Sequence, residues 1–213
     1  MTGLEKTLER ANEKLTAKDF SYLSGKLDGL SENQLNQHFT LYNGYVNKIN
    51  EIWEKLKNVD LSTANPTYSD LRELQIEQSF ALNGVILHEK YFSNLTDKAT
   101  VPSDELKSFI DRDFGSWDAY VTNLKAVSKS ARGWAFTGYC FSDGRIHNFV
   151  SDTHNMFLPM GVMPLLVIDV YEHAYMIDWG INRAGYIDAL FNHINWEMVS
   201  ERFNQINSCC QGR

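Results

Sequence analysis

The run Pro164-Leu-Leu-Val-Ile carries no polar side chain until Asp169, and His173 follows four residues later. A stretch this short and this apolar reads as a buried strand. A carboxylate at its end has to be paired, because an uncompensated buried charge carries a heavy desolvation cost. The chain must therefore fold so that other groups meet Asp169, and with residues 171–179 read as helical, His173 is the nearest candidate.

Upstream, Leu35, Phe39, Tyr42, Val46, Ile49, Trp53 and Leu56 recur at spacings of three and four, which predicts one long helix from Leu30 to about Leu56. Asn65-Pro66 breaks the chain, and Ser69-Asp70-Leu71-Arg72-Glu73 supplies capping chemistry for a second helix reaching about Phe92. The polar stretch before Pro102 reads as a linker. Beyond it, Ser103 and Ser116 cap two further helices. Gly133 to Phe141 and Arg145 to Val150 form a hairpin around Ser142-Asp143-Gly144, and a last amphipathic helix spans about Tyr186 to Phe203. The expected fold is α+β. An N-terminal antiparallel helical hairpin lobe, residues 1–97, packs on a C-terminal lobe, residues 98–213, holding helices and a small three-stranded antiparallel sheet.

With 213 residues, 43% of them hydrophobic, the chain can bury a core without disulfide support. Its 20 basic against 27 acidic residues, a net charge of −7, argue against a surface built to bind nucleic acid or anionic membrane. No window approaches the roughly 18 to 20 apolar residues of a spanning helix, and the charged start Met-Thr-Gly-Leu-Glu-Lys reads as having no leader. A cytoplasmic location is the expectation. Cys140 stands alone, and the neighbours Cys209 and Cys210 lack CxxC spacing, so all three read as structural or incidental.

The D-x-x-x-H pair at Asp169 and His173 offers carboxylate oxygen and imidazole nitrogen, a set suited to iron, manganese or zinc. On spacing alone such a pair is more often a salt-bridged or capped one than a metal site. His38 and His88 each sit among apolar neighbours inside a predicted helix, where a single histidine is ordinarily a core residue. Were the two helices to turn both imidazoles toward Asp169 and His173, three nitrogens and one oxygen would surround a metal between the lobes. A zinc-protease helix is excluded because Phe92 stands where the second histidine belongs, and no glutamate has a histidine three residues later, as a di-iron bundle requires. Neither a G-x-S-x-G elbow nor a phosphate-binding G-x-x-x-x-G-K-[ST] loop occurs.

Asp169-Val-Tyr-Glu-His-Ala-Tyr175 resembles the D-x-W-E-H-A-Y signature of the iron/manganese superoxide dismutases, with Tyr171 in place of the usual Trp. Arg112-Asp-Phe-Gly-Ser before Trp117, Gly133-Trp-Ala, Asn195-Trp196 and Tyr45-Val-Asn-Lys extend the resemblance over roughly Asn33 to Phe203. It implies His88, Asp169 and His173 as metal ligands, with His38 as the fourth. The interval from His38 to Tyr45 is seven residues where the family has eight, and an ungapped alignment offers Gln37 instead. Imidazole is the better ligand for iron or manganese.

The resemblance also implies a side chain that hydrogen-bonds metal-bound solvent. Gly84, at one of the family's two positions for it, is too small, which leaves His154. Tyr45 resembles the tyrosine controlling substrate access, with Tyr42 as its competitor, and Glu172 and Tyr175 resemble a pair that reaches across a dimer interface. The implied activity is conversion of superoxide, a small anionic substrate, to dioxygen and hydrogen peroxide at one iron or manganese per chain. The lean is slightly to iron, in a homodimer or higher homo-oligomer. Tyr171 and the shortened interval motivate a second reading, a catalytically silent relative acting as a dimeric binding or scaffold protein. A mononuclear metalloenzyme for another substrate is a minor third.

Overall fold

The computed structural model describes residues 14–211, and side chains as far as Ser208. The readings made of the first ten residues and of the Cys209 and Cys210 side chains lie outside the described residues. Helix α1 (Glu32–Leu56) starts at Ser31, whose hydroxyl accepts from the Gln34 amide. Helix α2 (Asp70–Ser93) starts the same way at Ser69, which accepts from the Arg72 amide. Contacts between them run in opposite directions along the two sequences, His38 and Phe39 against Phe92, Tyr42 against Glu89, and Tyr45 against Phe80, so the helices are antiparallel. The buried stripe of α1 is Leu35, His38, Tyr42, Val46, Ile49 and Ile52, while Phe39, Trp53 and Leu56 lie at its partly covered margin.

Two short helices, α3 (Asp104–Phe114) and α4 (Trp117–Ser130), precede the sheet, capped by Ser103 and Ser116 as their sequence predicts. Between them Gly115 takes φ +86°, the left-handed turn that ends a helix. Strands β1 (Trp134–Cys140), β2 (Arg145–Ser151) and β3 (Val162–Asp169) form an antiparallel sheet in the order β2-β1-β3. Trp134 pairs with both Ser151 and Asp169, which brings the start of the central strand beside the carboxylate ending β3. Asn94, at the end of α2, donates to the Val167 carbonyl (2.8 Å) and ties the helical pair to β3.

The chain after β3 departs from its sequence reading. Residues 171–179 form no single helix. A 3-10 turn, Glu172–Ala174, is followed by α5 (Met176–Trp179). The final helical stretch is also divided, into α6 (Arg183–Leu190), a 3-10 turn at Phe191–His193, and α7 (Trp196–Gln211). The break has a tertiary cause. Ile194 forms an antiparallel bridge with Leu95, Thr96 donates to the His193 carbonyl (2.9 Å), and Asn195 donates to the Asn94 carbonyl (2.6 Å). These bonds replace helical ones, and the Asn195 side chain then caps α7 by accepting from Met198. None of the helices among the described residues is long and apolar enough to cross a membrane.

Gly138 lies where the β1 to β3 register shifts, and a Cβ there would stand 2.4 Å from Cγ1 of Val162. Val162 is β-branched and has few rotamers with which to yield. Gly138→Ala is expected to lower unfolding free energy by about 1–3 kcal/mol, measured by denaturant unfolding, with the metal site left intact.

Candidate metal centre

His38 lies three residues after Leu35 and four before Tyr42, so the helical period carries it into the buried stripe of α1. On α2, His88 faces the same interior, and its Nδ1 meets the Gly84 carbonyl at 2.6 Å. A carbonyl only accepts, so Nδ1 bears the proton and Nε2 presents its lone pair inward. Asp169, the last residue of β3, is fully buried, and its Oδ1 accepts from the Tyr171 amide (2.9 Å). The Tyr186 hydroxyl donates to the Asp169 carbonyl (2.7 Å) and itself receives the Tyr91 hydroxyl (3.0 Å). The 3-10 turn then swings His173 back toward the end of the strand. Tyr171 stacks on the His173 ring at 5.0 Å, and Gln34 donates to its backbone carbonyl.

Three Nε2 atoms thus converge on Oδ2 of Asp169, from His38 at 3.1 Å, His173 at 3.1 Å and His88 at 3.7 Å. One donor atom from each of the four residues lies within 4.8 Å of all the others. Donors each about 2.1 Å from a shared first-row ion, at angles of roughly 90° to 120°, stand about 3 to 3.6 Å apart, so the set fits one cation. The fit has independent support, because Nε2 of His88 is buried with no hydrogen-bond partner. Such an orphan is costly unless a ligand occupies its lone pair. Gln37, the alternative to His38, is exposed and bonded to Asn33 (3.1 Å), outside the cluster. The seven-residue interval from His38 to Tyr45 is two turns of uninterrupted helix, which keeps both on one side of α1.

Electrostatics agree with the geometry. Burial by itself raises the Asp169 carboxyl, but the charge of His173 and hydrogen bonds from His173 and His38 outweigh it and hold the group well below the usual carboxylate range. Burial pushes His38 down, and His88 to about 3. Burial would also lower His173, yet the adjoining Asp169 carboxylate raises it. The cluster therefore supplies an ionised carboxylate and, at His38 and His88, neutral imidazoles, while His173 holds its proton more firmly against Asp169 and would release it on binding a metal.

Beside the cluster, the Trp134 indole Nε1 donates to Nδ1 of His154 (2.9 Å), and His154 Nε2 lies 2.7 Å from the Tyr45 hydroxyl. Indole nitrogen only donates, so Nδ1 must accept and the neutral His154 carries its proton on Nε2. That proton is given to the Tyr45 oxygen, and the Tyr45 hydroxyl hydrogen stays free for a further acceptor. Burial pushes His154 down to about 4. Gly84 has a packing role, since a Cβ there would stand 2.9 Å from the Tyr45 ring. Tyr42 points elsewhere, donating to Glu89 (2.9 Å) and accepting from the Lys18 amide (2.9 Å). Glu172 is exposed on the 3-10 turn, and Tyr175 is buried against Tyr186 with ring centroids 5.0 Å apart.

Sequence reasoning assigned no role to Gln34, Trp134, Tyr91 or Tyr186. Gln34 had a signal, because it lies one helical turn before His38 on the same apolar face, where a carboxamide needs partners. Its amide donates to His173 and its oxygen accepts from the Ile177 amide (3.1 Å), which ties α1 to the turn carrying His173. The hydroxyls of Tyr91 and Tyr186 gave no comparable sign.

The sequence profile described as iron/manganese superoxide dismutases, C-terminal domain, matches residues 102–202. A superoxide dismutase of the iron type from Aquifex pyrophilus is 46% identical over 184 residues, covering 84% of this chain and 86% of the relative. An iron-type enzyme from Cupriavidus metallidurans is 37% identical over 182 residues, 84% of this chain and 90% of its own. A manganese-type enzyme from Mycolicibacterium smegmatis is 30% identical over 202 residues, 92% and 96% of the two chains.

The depressed His154 has a measurable consequence in the metal-free chain. Between its unfolded value near 6.5 and its folded value of about 4, only the unfolded state takes up this proton, so its contribution to stability is complete above pH 6.5 and is lost as pH falls. A carboxamide can accept from Trp134 and donate to Tyr45 without titrating. His154→Gln is expected to reduce the acid dependence of unfolding free energy in that window by about 1.4 kcal/mol per pH unit. Denaturant unfolding of both chains from pH 4 to 7 measures it, and parallel curves would reject the assignment.

Proposed function

Because the chain belongs to the iron/manganese superoxide dismutase family, we propose that it disproportionates superoxide at one iron or manganese ion held by His38, His88, Asp169 and His173. The observation that carries this reading is the convergence of three imidazole nitrogens on one buried carboxylate oxygen. When bound, the ion supplies a one-electron couple between its 3+ and 2+ states. Two superoxide anions and two protons thereby become dioxygen and hydrogen peroxide. Iron is the favoured metal, in keeping with the iron-type relatives from Aquifex and Cupriavidus, although a manganese-type relative also matches.

The protein's own groups have distinct tasks in this reading. Asp169 contributes the negative charge that a buried cation needs, and the imidazoles add donors without adding charge. His88 is oriented by its bond to the Gly84 carbonyl, and His173 by Gln34, the kind of support that fixes ligand direction. His154 donates from Nε2 to the Tyr45 oxygen, so Tyr45 can offer its own hydroxyl proton toward a reduced oxygen species without losing its position. The aromatic rings of Tyr45, Phe80, Trp134 and Tyr171 around His154 limit access by bulk water.

The ion would join the N-terminal helical unit, through α1 and α2, to the C-terminal mixed unit, through β3 and the turn after it. Exposed Glu172, adjoining a His173 side chain still 28% exposed, supports a homodimer or higher homo-oligomer in which a second copy covers this edge. A cytoplasmic antioxidant role, without nucleic-acid or membrane partners, is consistent with the net charge of −7. The silent-relative reading has little to stand on. His38 belongs to the donor cluster despite the shortened interval, and Tyr171 stacks on His173 as an aromatic ring should.

Purified protein is expected to hold one iron or manganese per chain, with anomalous scattering at the matching edge. His38→Ala should lower metal affinity by more than about 100-fold and abolish activity with it. Metal-loaded protein no faster than free metal in buffer would reject the function. Tyr45→Phe keeps the ring but removes the transferable proton, so it should reduce turnover on the order of tenfold with unchanged metal content in elemental analysis.

A further inference from the structure

A second cluster of metal-binding side chains lies outside this centre. Cys140 ends β1, Asp143 stands in the following turn, and His147 is the third residue of β2. In the strand register Cys140 faces Arg145 and Gly138 faces His147, so Cys140 and His147 project from the same face as diagonal neighbours. Asp143 Oδ2 lies 2.8 Å from Nε2 of His147. One donor atom from each residue lies within 4.8 Å of the other two. Cys140 is a free thiol.

We propose that Cys140, Asp143 and His147 form a zinc site on this hairpin. The donor chemistry separates it from the buried centre. There, three imidazoles and a carboxylate suit iron or manganese, whereas sulfur, nitrogen and oxygen together suit zinc, which takes all three in tetrahedral sites. A thiolate and a carboxylate also match the charge of a divalent cation. Zinc replaces the Cys140 thiol proton, which leaves to solvent, and forms the Zn–S bond without any change of oxidation state. With three protein donors and with Asp143 and His147 partly exposed, the fourth position faces water.

The scaffold is already fixed. The Gly144 amide donates to the Cys140 carbonyl (2.9 Å), Arg112 donates to the Gly144 carbonyl (2.8 Å), and the Ile146 amide donates to Asp113 Oδ2 (2.8 Å). These bonds hold the turn against the end of α3. The positive charge nearest Asp143 from that helix, Arg112, is paired bidentately with Asp113, and Arg145 is exposed. The inference does not depend on the dismutase reading.

The test uses the full chain with its buried centre already loaded with iron, titrated with zinc against a chelating indicator and, in parallel, with cobalt(II). One zinc equivalent beyond the resident ion is expected, together with a thiolate-to-cobalt charge-transfer band. Cys140→Ser and His147→Ala should each abolish the second equivalent and the band, with circular dichroism and superoxide turnover unchanged. The double variant Cys209→Ser/Cys210→Ser should retain both signals. Zinc or the cobalt band persisting in Cys140→Ser, or wild-type uptake no greater than that of the combined Cys140→Ser/His147→Ala chain, would overturn the site.

Discussion

A carboxylate ionised in the middle of an apolar core is the condition to which the surrounding architecture answers. Asp169 ends a strand whose preceding residues Leu165 to Ile168 are all buried, and it has no access to water. Left alone, such a charge would neutralise itself or destabilise the fold. Three imidazoles meet one of its oxygens, a backbone amide meets the other, and Tyr186 holds its carbonyl. A cation within this ring would add to the compensation of the buried Asp169 charge and take up the orphaned lone pair of His88.

The same constraint explains why the centre lies where separate parts of the chain meet. One helix can present one inward imidazole at this level, so α1 and α2 must be antiparallel neighbours to bring two. The sheet delivers the carboxylate, and the sharp 3-10 turn after β3 returns His173 to the place its strand has just left. Gln34 and Asn94 secure the joins with carboxamides, groups that donate and accept at once and can link two backbones. Chemistry and packing are coupled here, since displacing any of these elements moves a donor.

Adjacent to the charged ring, a chain of hydrogen bonds fixes proton positions. Trp134 can only donate, which decides the tautomer of His154, and that tautomer decides which way the bond to Tyr45 runs. Gly84 makes room for the Tyr45 ring in a helix interior where glycine is otherwise costly. Conformational preference yields at that position to the placement of one hydroxyl.

Sequence by itself determined the helices α1 to α4, the hairpin, the buried strand and the pairing of Asp169 with His173. Apolar period, capping serines and turn residues act over a few positions, and a carboxylate closing an apolar run declares its own need for a partner. Tertiary structure alone decided what depends on residues far apart in the chain. His38 and Asp169 are separated by 131 residues, so whether His38 or Gln37 faced the carboxylate was not written in local spacing. The same holds for which tyrosine meets His154, Tyr45 and not Tyr42, for the bridge made by Gln34, and for the break before α7, where a bridge between Leu95 and Ile194 took backbone bonds that a continuous helix would have used. Local patterns are set by neighbouring residues, while a converging site is set by how finished elements pack.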